Sequence, residues 1–121
     1  KSYMWSVRRL LGIDFAGGVR QIELESYRVT DNDLECLKDL TSTVKLRLNT
    51  ASITDAGLKR ITMLKQLQFL DLSNTKISDD GLIYLRELPQ LKELLLYQTT
   101  ITDKGIKDLS KALPELKIHR R

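Results

Sequence analysis

The stretch LDLSNTKISDDGL, Leu70–Leu82, returns 24 residues later as LLLYQTTITDKGI, Leu94–Ile106. In the first copy Leu70 and Leu72 alternate by two, which turns both onto one face of a short strand. An apolar residue and a hydroxyl residue follow, Ile77 and Ser78, and then an acid, a glycine and a leucine. From Leu82 the apolar positions recur at spacing three, through Leu85 and Leu88, which suits one face of a short helix. One copy therefore reads as a strand, a turn and a helix.

Set on this period, four units begin at Val19, Thr43, Leu67 and Leu91, with a partial fifth from Leu116. Ile22, Leu46, Leu70 and Leu94 share one slot, and Leu24, Leu48, Leu72 and Leu96 share the slot two residues on. Four in-register units resemble the leucine-rich repeat family, whose L-x-x-L-x-L-x-x-N/C-x-L unit gives one strand and one helix per turn of a curved solenoid. The resemblance spans residues 19–118. It implies an α/β fold: a short right-handed solenoid, parallel strands on the concave face, short helices on the convex face, and terminal caps. Two features depart from the family pattern. Tyr27, Ala51, Thr75 and Thr99 stand where an Asn or Cys is usual, and Thr43 replaces the opening apolar residue of unit two. The T-D-x-G-L element is similar to that of planctomycete-type bacterial repeat proteins and, more distantly, to the repeats of F-box adaptors. In the bacterial group such domains often follow a membrane anchor, and the opening VRRLLGIDFAGGV resembles the segment that precedes the repeats there. The resemblance thus implies a bacterial protein anchored through a segment upstream of this chain. The start on Lys1 suggests a processed product or an excised domain.

The recurring Thr/Ser-Asp-x-Gly is expected to be a joint of the scaffold. In SITDAGL the Thr54 hydroxyl is placed to accept from the first free N–H groups of the following helix, and Asp55 sets negative charge against the positive end of that helix. Ser78 and Asp79, then Thr102 and Asp103, repeat the arrangement. Val29/Leu34, Ile53/Leu58, Ile77/Leu82 and Ile101/Ile106 have the spacing of a hydrophobic staple. Gly57, Gly81 and Gly105 let each helix lie close to the neighbouring unit, and Asp33 breaks this series in unit one. Pro89 and Pro114 stop the helices before the chain returns to the next strand. A calcium ladder along the Asp31, Asp55, Asp79, Asp103 column would need paired acids in each turn, and the repeating column supplies one per unit.

A stack of repeats needs lids at its ends. Trp5, Val7, Leu10 and Leu11 read as an amphipathic helix in residues 1–18 that caps the first strand. ALPELKI closes the last unit with an abbreviated strand, and residues 119–121 form a polar tail.

The chain carries 20 basic and 16 acidic residues, a net charge of +4. Six of the bases, against Asp14 alone, lie in residues 1–18 and 117–121, so the repeat body is balanced at 14 bases and 15 acids. A basic stripe with neighbouring aromatics, the footprint of a nucleic-acid binder, is missing from that body. No apolar run approaches the roughly 20 residues of a membrane span. Cys36 is the only cysteine, which excludes an internal disulfide and leaves the compartment open. With one His and one Cys, and no phosphate-binding glycine loop, the sequence offers no catalytic constellation, metal site or cofactor site.

What remains is the sheet face turned away from the helices. Residues alternating with the buried leucines should point onto it: Gln21, Glu23 and Glu25; Lys45, Arg47 and Asn49; Gln68 or Phe69, Asp71 and Ser73; Glu93, Leu95 and Tyr97. Units one and two are charged there, and Glu23, Arg47 and Asp71 alternate in sign across strands spaced about 4.8 Å. Units three and four instead are expected to turn Phe69, Leu95 and Tyr97 toward solvent, a patch without a core role, ringed by Arg47, Asp71, Lys92 and Glu93, with Lys45 also counted in the contact. This reads as a non-catalytic module that binds a protein or peptide on its concave face. The alternative is a structural spacer or assembly piece of a larger protein. Neither reading fixes the oligomeric state.

Overall fold

The computed structural model describes residues 20–120. Val19, Arg121 and the cap expected over residues 1–18 lie outside the described residues. Five three-residue strands, β1 (Gln21–Glu23), β2 (Lys45–Arg47), β3 (Phe69–Asp71), β4 (Glu93–Leu95) and β5 (Lys117–His119), form one parallel sheet in sequence order. The register steps by one repeat throughout, so Ile22, Leu46, Leu70, Leu94 and Ile118 form one row. Pairing runs past the strand ends: the Leu24, Leu48, Leu72 and Leu96 N–H groups donate to the carbonyls of Arg47, Asp71, Leu95 and His119 at 2.7–2.9 Å. Each strand is short because the chain must turn at once toward its helix. Thr50, Asn74 and Gln98 make that turn with φ of 66°, 55° and 55°.

The connections are a 3-10 helix at Asp31–Asp39, α1 (Asp55–Arg60) extended by a 3-10 turn at Ile61–Met63, α2 (Asp79–Leu85) and α3 (Asp103–Ala112). The first is a 3-10 helix throughout. Its opening Asp-Asn-Asp are weak α-formers. Strands and helices enclose one continuous core in which Leu46, Leu48, Leu58, Leu70, Leu72 and Leu94 are fully buried. Each such side chain contributes about 1.5–3 kcal/mol, and no unit could bury its own row alone. Departures from the family pattern are accommodated locally. Thr75 and Thr99 donate to the Leu72 and Leu96 carbonyls inside the turn, and the fully buried Thr43 hydroxyl donates to the Leu40 carbonyl at 2.6 Å.

The joints differ from the cap expected of Thr54 and Ser78. Neither hydroxyl caps its own helix; of the three, only Thr102 does, accepting weakly from the Gly105 N–H at 3.3 Å. Each carboxylate instead reaches forward to the next unit. Asp31 accepts from the Thr54 N–H and hydroxyl at 2.8 and 2.5 Å, Asp55 from Ser78 at 2.7 and 2.5 Å, and Asp79 from Thr102 at 2.9 and 2.5 Å. A charged acceptor outcompetes the local cap because its hydrogen bonds are the stronger kind. The Thr102 hydroxyl and N–H, with Lys104 and Arg120 nearby, hold the Asp79 carboxyl below its usual range. The glycines follow from the same geometry. A Cβ on Gly57, Gly81 or Gly105 would collide with Oδ1 of Asp31, Asp55 or Asp79, so each glycine makes room for the preceding unit's clasp.

Both ends of the ladder are closed by a different residue. In unit one the Asp33 carboxylate accepts from the Thr30 N–H at 2.9 Å, doing from its own helix what an aspartate of a preceding unit does elsewhere. In unit four Asp103 pairs with the Arg120 guanidinium, which also donates to the Ile101 carbonyl at 3.2 Å. His119, assigned to a polar tail by sequence, belongs to β5: it stands beside Leu95 and meets Glu93 Oε2 at 3.1 Å.

Candidate partner-binding face

The register arranges the outer side chains of the sheet in columns. Gln21, Lys45, Phe69, Glu93 and Lys117 form the first, at the strand starts, and Glu23, Arg47, Asp71, Leu95 and His119 form the second. A third, past the strand ends, holds Glu25, Asn49, Ser73 and Tyr97 by continuation of the same spacing.

Arg47 organises the middle of this face. Its guanidinium lies 4.8 Å from the centre of the Phe69 ring, 3.8 Å from Glu23 Oε2 and 3.5 Å from Asp71 Oδ2. Lys45 Nζ lies 5.5 Å from the same ring, so two cations cover one aromatic face. Asp71 is only 6% exposed; burial is tolerated because its other oxygen accepts from the Ser73 N–H at 3.0 Å. Ser73 Oγ in turn accepts from the Tyr97 N–H at 3.1 Å, so the third column is tied within itself and, through Ser73, to Asp71 in the second.

The apolar group expected here is narrower than its sequence implied. Tyr97 is exposed at 39%, whereas Phe69 and Leu95 are half-buried. Phe69 lies beneath the Lys45 and Arg47 heads, and Leu95 is flanked by His119 on the added strand. Lys45 and Glu93 stand at the strand starts as expected, and Asp71 is withdrawn from solvent.

Two exposed apolar residues were missed by the sequence reading. Tyr27 is 72% exposed, with the Arg28 guanidinium 5.9 Å from its ring, and Ile83 is 55% exposed on α2. Their signal lay in the repeat itself. Ile83 fills the slot that holds Lys59 and Lys107 in the flanking units, and Tyr27 the slot of Ala51, Thr75 and Thr99. Cys36 is half-buried against the core. Among the described residues no group of three or more His, Cys, Asp or Glu is gathered as a metal site would require, and no helix is long and apolar enough to cross a membrane.

The comparisons with known proteins agree with this geometry. A leucine-rich repeat family model matches residues 65–85, the segment that holds β3 and α2. The chain has the leucine-rich repeat fold. An internalin C2 of Listeria monocytogenes is similar at 26% identity and a TM-score of 0.67, over 82% of this chain and 40% of its own length. The repeat domain therefore spans less than half of that protein. The Mex67:Mtr2 subunits of Chaetomium give a TM-score of 0.73 over 98% of this chain and 87% of theirs at 15% identity. Actin-binding site 2 of leiomodin-1 gives 0.64 over 82% of this chain and 69% of its own at 19% identity. The last two likenesses show the fold alone. No curated protein matches the chain in sequence.

Proposed function

We propose that this leucine-rich repeat domain is a non-catalytic binding module that holds a protein or peptide on its concave sheet face. The contact centres on Tyr97 with Leu95 and Phe69, and Arg47, Lys45, Asp71 and Glu93 surround it. The observation that carries this reading is the exposed ring of Tyr97, next to a half-buried apolar pair, on a face where no column keeps one residue type throughout. An aromatic anchor within a polar surround is what a contact centre tends to contain. Repeat proteins use this extended surface for recognition, and the leiomodin segment of the same fold is an actin-binding site.

The test is partner capture from the source organism's lysate with the domain, with Tyr97→Ser and with Ile83→Ser, each variant shown to melt like the parent. A protein held by the parent and by Ile83→Ser, and lost by Tyr97→Ser, is the expected result. Loss in Ile83→Ser with retention in Tyr97→Ser would move the site to the helices. Equal retention in all three would favour the spacer reading, in which the concave face has no partner.

A further inference from the structure

The concave face is electrically divided along the strand direction. At the strand starts Lys45 and Lys117 are exposed in the first column, Arg20 and Lys92 are exposed one residue before β1 and β4, and Glu93 is the one carboxylate of that column. Toward the strand ends Glu23 and Asp71 flank the Arg47 guanidinium, and Glu25 is exposed two residues beyond Glu23. Part of this charge is not used by the fold. Among the described residues the side chains of Glu25, Lys92 and Lys117 have no ion pair or hydrogen bond, whereas Glu93 is already engaged by His119. The apolar strip crosses from one side to the other, from Phe69 in the first column through Leu95 in the second to Tyr97 in the third.

We propose that the domain takes a partner segment whose charges run opposite to its own, with acidic side chains over the strand starts, an apolar side chain over Leu95 and Tyr97, and basic side chains over the strand ends. This rests on the concave-face reading and adds the chemistry and orientation of its ligand. The distance from the first column to the third is about 13 Å at roughly 3.3 Å per residue, so a handful of extended residues spans it. Each exposed charge contributes little in salt, so the apolar contact supplies affinity while the charge gradient selects the partner and fixes its direction.

The experiment uses short dye-labelled peptides with one apolar-aromatic centre and four charge patterns: an acidic block before and a basic block after it, the same residues with charges alternating, all acidic, and all basic. Fluorescence polarisation at low salt reads affinity. A nitroxide on the acidic end of the block peptide, read by amide signal loss in NMR, reports direction. The block peptide is expected to bind about tenfold tighter than the alternating one, a preference that shrinks as salt rises. The nitroxide is expected to quench Lys45, Lys92 and Lys117 before Glu25 and Tyr97. Equal binding of block and alternating peptides on the concave face, preferential binding of either single-sign peptide, or quenching centred on Glu25 would overturn the gradient while leaving concave recognition intact. Shifts confined to the helices would overturn both. If no peptide perturbs the concave face, the gradient proposal is wrong, and the Tyr97→Ser capture decides the other reading separately.

Discussion

Two faces of this small solenoid, built from the same repeat, obey opposite rules. Along the strand-to-helix joints the inner units do one thing three times: a carboxylate of one unit takes the N–H and hydroxyl of the next, over a glycine. Across the concave face no column repeats itself, and one row alone passes from Glu23 to Arg47, Asp71, Leu95 and His119. Repetition is what stacking demands, because each interface presents the same geometry to its neighbour. Variety is free to appear only where stacking makes no demand, and the concave columns are such a place. The comparison predicts that substitutions at the joints act on stability, and that those at Tyr97 and around it act on binding.

The largest effect should come from Gly81→Ala. In an ordinary helix this change stabilises by about 1 kcal/mol. Here the methyl would sit on Asp55 Oδ1 and 2.9 Å from both Asp55 Cγ and Leu58 Cδ1, so the carboxylate must leave Ser78. Overpacking and the loss of two charge-assisted bonds outweigh the propensity, and urea unfolding should show a net loss of about 3 kcal/mol. Asp33→Gly, at the same slot of unit one, meets no such carboxylate and loses the bonds from the Thr30 N–H and, more weakly, its hydroxyl, at about 1 kcal/mol. A neutral Gly81→Ala would show that the clasp does not hold the stack.

Next in size is removal of a clasp. Asp55→Ala deletes the acceptor of two part-buried bonds to Ser78 and should cost about 2 kcal/mol. Asp103→Ala touches only an exposed pair with Arg120 and should cost about 0.5 kcal/mol. Equal losses would mean that the carboxylates act as helix-dipole partners, the role their sequence suggests, and not as links between units. Acid tests the same point. Asp79 has a folded pKa below its unfolded one, so its contribution is complete at neutral pH, begins to fade as pH falls past the unfolded value, and is gone below the folded one. Thermal melts should show part of the acid sensitivity disappearing in Asp79→Asn.

The joints also show which features were legible in the sequence. The 24-residue register, the strand rows and the closeness at Gly57, Gly81 and Gly105 follow from periodicity, because period and residue size are one-dimensional signals. The partner of each aspartate was not legible. Local spacing offers Thr54 its own helix, and only the stack brings Asp31 within 2.8 Å of its N–H. The concave face failed for a related reason. Alternation says that Phe69 and Asp71 point outward, which they do, but exposure depends on the neighbouring strands, and those supply the Lys45 and Arg47 heads that cover one and bind the other.

The smallest of the three principal effects, after those at Gly81 and Asp55, lies where the two faces meet. Thr50, Asn74 and Gln98 make the same left-handed turn between concave strand and joint. A β-branched residue suits that conformation worst, whereas Asn visits it readily. The Thr50 hydroxyl donates at 2.5 Å to the Asn49 carbonyl at an exposed site, a bond water can replace. Thr50→Asn should therefore stabilise the domain by about 1 kcal/mol, read as a raised melting temperature. Its value lies in what happens to binding. Unchanged capture in the stabilised variant would place Thr50 with the scaffold, a strained position tolerated because the stack over-determines the turn. Weaker capture despite greater stability would place it with the recognition face and extend the contact from Tyr97 toward unit two.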